Sequence, residues 1–275
     1  MIIEKIHSLF KKYPIVSSLV LIIVFFAFSK AYKLLIEMFL KDDMYDLVVN
    51  IMGILFPLLL VILCGYKYIF TIGDFFKTLR VGLFWVIMQS LVLVLEIWTA
   101  FFVLKDVNIK STFGLIIGFI EIFGIGFREE VIFRGIIGNS IGRKYGKDKS
   151  GVWLACIVSG FLFGSFHMTN YFAGVNMTST LIQSLVACGA GVMLTAIYYR
   201  GGSIWGLIFI HSLIDAVSLF PALFTNDMNS IEAINRLSLK NITPFFLCML
   251  ISLFLLRNKK ITEAINFLNA DCDNQ

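Results

Sequence analysis

Charge and proline are both scarce in this chain. Only 15% of its 275 residues are charged, against roughly 25% in soluble domains, which excludes the solvated surface of an ordinary globular protein. The four prolines (Pro14, Pro57, Pro221 and Pro244) sit mostly near the ends of apolar runs, and there is no low-complexity tract and no internal repeat. Five cysteines (Cys64, Cys156, Cys188, Cys248, Cys272) form no C-x-x-C pair, so neither a disulfide framework nor a cysteine-metal site is expected. The H-E-x-x-H spacing of the common zinc proteases is also absent. A net charge of +5 is not gathered into a nucleic-acid-binding face, and no nucleic-acid partner is expected.

Apolar sequence dominates instead. Hydrophobic residues make up 59% of the chain, and the mean hydropathy is +0.88. The class is therefore all-α, a polytopic membrane protein whose length accommodates about eight transmembrane helices of about 20 residues. The spans read as Ile15 to about Leu40, Leu47 to Cys64, Val81 to Leu104, Thr112 to Ile137, Val152 to Tyr171, Thr180 to Tyr199, Ile204 to Phe224 and Ile242 to Leu256. The basic start, with Lys5, Lys11 and Lys12, has the look of a signal-peptide n-region. The apolar run behind it outlasts an h-region of about 7 to 15 residues, so it reads as the first membrane helix. Thr71 to Arg80 fits either an amphipathic surface helix or a basic loop.

Lysine and arginine set the expected topology. Alternate segments beginning with the N-terminus hold fourteen of them, whereas the intervening loops hold only Lys41, Lys105, Lys110, Arg236 and Lys240 together with the acidic Asp42, Asp43 and Asp227. Cytoplasmic loops carry the basic excess, so an integral cell-membrane protein with both termini cytoplasmic is expected. Seventeen of the 21 glycines fall between Gly114 and Gly206. Glycine lets membrane helices pack closely, and Gly160 with Gly164 forms a G-x-x-x-G ridge. This divides the chain into a peripheral layer of helices over 1–110, a tightly packed core over 111–224, and a last helix with a cytoplasmic tail over 225–275.

The costliest stretch to place in a membrane is F-R-E-E-V-I-F-R, Phe127 to Arg134. A charge at mid-bilayer costs roughly 2.5 to 3.5 kcal/mol even on the lenient scale. Glu130 and Arg134 are four apart and favour an internal ion pair, leaving Glu129, about 100° round the helix, as a carboxylate available for acid or base chemistry. Two of the three histidines, His167 and His211, lie within spans, and Asp215 shares a helix face with His211. Counted at about 1.5 Å per residue from the expected cytoplasmic ends, Glu129, His167, His211 and Asp215 lie roughly 20, 24, 14 and 20 Å deep. Glu96 and Glu121 read as buried hydrogen-bonding partners. Arg128 has three candidate partners: lipid headgroups, another helix, or Glu121 two turns away.

E-E-x-x-x-R (Glu129, Glu130, Arg134), F-x-x-x-H (Phe163, His167) and H-x-x-x-D (His211, Asp215), in this order on separate helices, resemble the CPBP family of intramembrane proteases. That family includes the eukaryotic CAAX prenyl endopeptidase and the bacterial Abi or bacteriocin-immunity proteins. The resemblance covers about Thr112 to Phe224 and implies an eight-helix bundle. It also implies that Glu129 activates a water with help from His167, that His211 and residue 215 stabilise the oxyanion, and that Glu130 is held by Arg134. The prenyl protease pattern has Asn where this chain has Asp215. An ionised Asp would repel an oxyanion, so Asp215 is protonated, orients His211, or joins the histidines around a metal.

No cofactor is expected. The zinc alternative would use Glu129, His167 and His211. The expected function is an intramembrane endopeptidase acting on a peptide or membrane-protein substrate, in peptide processing or self-immunity in a bacterium. The competing readings are a membrane regulator or immunity protein acting by binding, with a sensor kinase or peptide-export system as partner, and a proton-coupled transporter, which no inverted repeat supports.

Overall fold

A computed structural model describes residues 2–103 and 107–270, with the side chains of Asp42 and Asp43 also left undescribed. Leu104, Lys105 and Cys272, used above, lie outside the described residues. The chain is all-α and of polytopic membrane type. It opens with α1 (Ile2–Lys12), α2 (Pro14–Glu37) and α3 (Asp42–Cys64), followed by the short α4 (Phe75–Val81) and then α5 (Leu83–Phe102). Next come α6 (Thr112–Glu130), which continues through a π-helical segment (Val131–Gly138) into α7 (Asn139–Tyr145), then α8 (Lys149–His167) and α9 (Met177–Gly201). The chain closes with α10 (Ile204–Ser218), α11 (Phe220–Phe224), α12 (Ser230–Asn235), α13 (Thr243–Leu255) and α14 (Ile261–Asn269).

Helices α2, α3, α5, α8 and α9 are long and apolar enough to cross a membrane, and α10 and α13 are shorter apolar helices. The fourth expected span is the charged α6. It runs on without a turn to Tyr145, well past Ile137, because the π-helical segment keeps the chain helical through two glycines. The seventh span is shorter than expected. Pro221 cannot donate a backbone N–H and occupies the first turn of α11, while Leu219 leaves helical geometry at φ −112°, so α10 stops at Ser218 after about 22 Å. The stretch over 71–80 resolves as a loop and then α4, whose N-terminus Asp74 caps by accepting from the Lys77 N–H.

Side-chain caps set where the site helices begin. Ser111, Asp148, Asn176 and Ser203 accept from the backbone N–H of Gly114, Gly151, Ser179 and Gly206 at the starts of α6, α8, α9 and α10, each satisfying an otherwise orphaned donor. Between α9 and α10 the reversal is carried by Gly202 at φ +91°, a left-handed conformation that costs glycine no steric penalty.

The core centres on the helix that carries the charges. Every residue from Glu129 to Gly142 is buried, the pattern of a helix packed on all sides. Helix α9 is 67% buried across its apolar window, whereas α5 and α2 turn most of their surface outward, where Leu91, Val94, Leu95 and Phe101 are exposed as lipid-facing residues. Helices α8 and α9 meet along the glycine ridge. A Cβ on Gly160 would lie 2.7 Å from the Val192 backbone N, and one on Gly164 only 2.1 Å from Cys188 Sγ. The four cysteines among the described residues are free thiols.

Candidate active site

The site is built from one end of α6 outward. At Gly126 an added Cβ would sit 2.6 Å from Ser212 Oγ and 3.1 Å from the Ile208 carbonyl of α10. This close crossing, one turn before the two glutamates, brings His211 within reach of them. Glu130 Oε1 accepts from Arg134 Nη1 at 2.6 Å and from His211 Nδ1 at 2.5 Å. The Glu130 and Arg134 side chains are completely buried. Helical spacing pairs these two residues; the bond to His211 joins positions 81 apart, and no local pattern in the sequence reveals it.

With Nδ1 committed, His211 turns Nε2 toward two further carboxylates, Glu129 Oε2 at 3.6 Å and Asp215 Oδ2 at 3.7 Å. Both separations are too long for a hydrogen bond. The carboxylate hydrogen-bonded to His211 is therefore Glu130, with Asp215 at ion-pair distance from the other ring nitrogen.

Phe163 is the hub of the second half of the site. Its ring lies under the Arg134 guanidinium at 4.3 Å and meets His167 and His211 edge-on, at 4.8 and 5.7 Å between centroids. His167 Nδ1 donates to the Phe163 carbonyl at 3.0 Å. The structure thus gathers Glu129, Glu130, Arg134, His211 and Asp215 into one charged cluster and sets His167 on a neighbouring side of the same phenyl ring.

The π-helical turn directly follows the two glutamates. Such wide turns disturb the regular ladder of backbone bonds and need other partners. Here Ser159 Oγ donates to the Phe133 carbonyl at 3.2 Å, Asn139 Nδ2 to the Gly135 carbonyl at 2.9 Å, and Tyr199 Oη to the Gly138 carbonyl at 2.5 Å. Asn139 Nδ2 also reaches Tyr198 Oη at 3.0 Å. Helices α8 and α9 therefore hold the base of the glutamate helix in place. Ser159, Tyr199 and Asn139 carry no motif, and sequence reasoning passes over them.

Arg128 reaches another helix. Its guanidinium lies over Gly53 of α3, beside the Tyr32 hydroxyl of α2, and shares an electrostatic neighbourhood with Glu121, Asp46 and Lys33. An apolar cavity of about 240 Å³ lies between α5, α6, α10 and α11, lined by Ile97, Phe119, Ala216, Phe220 and Phe224 among others. Ala216 follows Asp215 directly in the chain. Among the described residues, no three His, Cys, Asp or Glu side chains are placed to hold a metal ion.

Together these features define an all-α polytopic membrane protein with a buried cluster of carboxylates and imidazole inside its apolar body. Residues 110–217 match the family described as Type II CAAX prenyl endopeptidase Rce1-like, consistent with the CPBP family of intramembrane proteases. The family so described is one of CAAX-type intramembrane proteases, which are hydrolases. No curated protein and no solved structure matches the chain.

Proposed function

We propose that this protein is an intramembrane endopeptidase that hydrolyses a peptide bond with a carboxylate-activated water and needs no cofactor. The observation that carries the reading is the placement of His211, fixed through Nδ1 by Glu130 and facing Glu129 and Asp215 through Nε2. In this scheme Glu129 takes a proton from water as the oxygen attacks the carbonyl carbon, then delivers that proton to the leaving amine. His167, whose Nδ1 is engaged, helps position the water through its other nitrogen. The Nε2–H of His211 donates to the oxyanion. An ionised Asp215 would oppose that step, so the scheme uses Asp215 as a protonated donor beside it.

The apolar cavity suits a hydrophobic part of the substrate, drawn from a peptide or a membrane protein. Both termini are placed on the cytoplasmic side, on the strength of the basic loops. Peptide maturation or self-immunity in a bacterium is the proposed setting, where a peptide exporter or sensor kinase would act on or respond to the product.

Comparing the membrane peptidome of cells expressing the protein with that of cells expressing Glu129→Gln, at matched membrane abundance, tests the reading. A precursor that accumulates, and a fragment that disappears by at least about 100-fold, is the expected result. Identical peptidomes would favour a protein that acts by binding. Full turnover by protein stripped of metal supports the cofactor-free scheme, and activity that returns only with added zinc overturns it.

A further inference from the structure

Helix α6 carries a polar stripe that neither the apolar cavity nor the glutamate cluster uses. Glu121, Ile125 and Arg128 recur at helical spacing on one face, and all three are half-buried. Phe119 and Phe123, on the opposite face, are exposed as lipid-facing residues. Arg128 stands about 24 Å along α6 from its first residue, Thr112. An arginine at such depth faces the bundle interior or a water-filled space.

The surroundings of Arg128 favour water. Side chains lean toward the N-terminus of their own helix, and α2 starts beside α7, where the Lys12 carbonyl accepts from Lys144, so it runs opposite to α6. Arg128 and Tyr32 therefore reach toward one another and meet over Gly53 of α3, where an added Cβ would lie 3.5 Å from Arg128 Nη1 and 3.7 Å from Tyr32 Oη. About one turn nearer the start of α3, Asn50 Oδ1 lies 3.2 Å from where a Cβ on Gly124 would be, and Asn50 Nδ2 donates to the Asp46 carbonyl at 2.9 Å. Beyond these, Asp46 and Lys33 are exposed. Hydroxyl, amide and charged groups from three helices give a water the several partners that hold it inside a protein.

The stripe also continues inward. The side chains of Glu129 and Asp215 keep 11% and 15% of their surface accessible, whereas Glu130 keeps none. Arg128 lies within electrostatic reach of Asp215 at one end and of Glu121 and Lys33 at the other. Accessible surface thus runs from the start of α6 past Arg128 to the carboxylates, on the face away from both ends of the chain, which meet α7 through Lys12 and Ala270.

We infer that α2, α3 and α6 border a water-filled crevice, open on the membrane face opposite the two termini, through which bulk water reaches Glu129. Its use as the supply of water for peptide-bond cleavage rests on the hydrolysis proposed above; the crevice itself does not.

Single cysteines placed in the full chain test this, with a charged, membrane-impermeant methanethiosulfonate as the probe and the parent protein as the blank. Membrane vesicles of both orientations are used, a cleavable C-terminal tag marking the face of the termini. Only an ionised thiol reacts, and apolar surroundings suppress ionisation. Glu121→Cys and Ile125→Cys should therefore react from the face opposite the tag at least about tenfold faster than the lipid-facing Phe123→Cys and Leu55→Cys. Ile125 lies deeper along α6 than Phe123, so distance from the surface alone would give the reverse order. Equal rates at Ile125→Cys and Phe123→Cys, no reaction at Ile125→Cys, or reaction only from the tagged face would overturn the crevice. Should Ile125→Cys fail to reach the membrane, Glu121→Cys decides against the same controls. Labelled Ile125→Cys should lose cleavage and regain it on reduction; cleavage unslowed by complete labelling overturns the supply role. The labelling pattern should persist in Glu129→Gln, so failed labelling beside intact cleavage strikes the crevice alone, and intact labelling beside an unchanged peptidome strikes only the hydrolysis.

Discussion

The Glu130–Arg134–His211 arrangement predicts a specific pattern of stability. Replacing Arg134 by Met leaves a buried carboxylate, but one still bonded to His211, so the loss falls at the low end of the range for breaking a buried pair, about 3 kcal/mol. Replacing Glu130 by Leu strands the Arg134 guanidinium, which is wholly buried, loses its hydrogen-bonded carboxylate and keeps the face of Phe163 and the neighbouring charge of Glu129, and takes the Nδ1 partner from His211. That change costs about 5 kcal/mol. The double variant, Glu130→Leu with Arg134→Met, removes both charges and loses chiefly the bond to His211, about 1.5 to 3 kcal/mol for a charged hydrogen bond. The double variant should therefore be more stable than Glu130→Leu alone, with a coupling of at least about 3 kcal/mol between the two sites. Unfolding the purified protein in mixed micelles by titrating SDS, followed by circular dichroism, measures all three. Should Glu130→Leu fail to fold, recovery of folded protein on adding Arg134→Met gives the same information. Additive losses, or a double variant no better than Glu130→Leu, would refute the ion-pair account.

Three further outcomes are expected. Asp215→Asn supplies a permanent donor at the oxyanion position, so it should retain cleavage and lose less activity at high pH than the parent, whereas Asp215→Leu should lose at least about 100-fold; a pH–rate profile of both separates donor from base, and an inactive Asn variant contradicts the donor role. Gly164→Ala forces α8 away from Cys188 and Ser184 of α9, costing about 1 to 3 kcal/mol and displacing His167 three residues on; Cys188→Ala should restore only part, because the Ser184 carbonyl still obstructs, and unchanged melting would show that the ridge tolerates a methyl group. At the end of the chain, burial pushes the Glu263 carboxyl up, but hydrogen bonds from Lys260 and Arg200 and their charges outweigh it and leave it below its ordinary value. A depressed carboxylate stabilises above its unfolded value and loses that contribution as pH falls through the folded one, so the amides of α14 should lose protection, measured against their intrinsic exchange rates at each pH, as the solution is acidified, and Glu263→Gln should remove that acid dependence.

Much of this architecture is legible in the sequence because a membrane imposes simple demands. Apolar runs must be helical, since no water is available to satisfy an exposed backbone, and six of the eight expected spans coincide with helices close to where hydropathy puts them. Helical spacing alone makes Glu130 and Arg134 partners. Where hydropathy misleads, local stereochemistry is the cause: Pro221 ends α10 within an apolar run, and a π-helical turn carries α6 past two glycines into α7.

What tertiary structure alone decided is which charges meet. Equal depth is compatible with contact among Glu129, His167, His211 and Asp215 but does not require it. The close crossing at Gly126 is what joins His211 to Glu130, and Phe163 is what packs against both His167 and His211. Periodicity reports the face of a single helix, and it reads Glu130 and Arg134 correctly because both lie on one. His211 comes from another helix, 81 residues away, and its partner depends on how closely two backbones approach, a quantity fixed by packing among helices and written in no one of them.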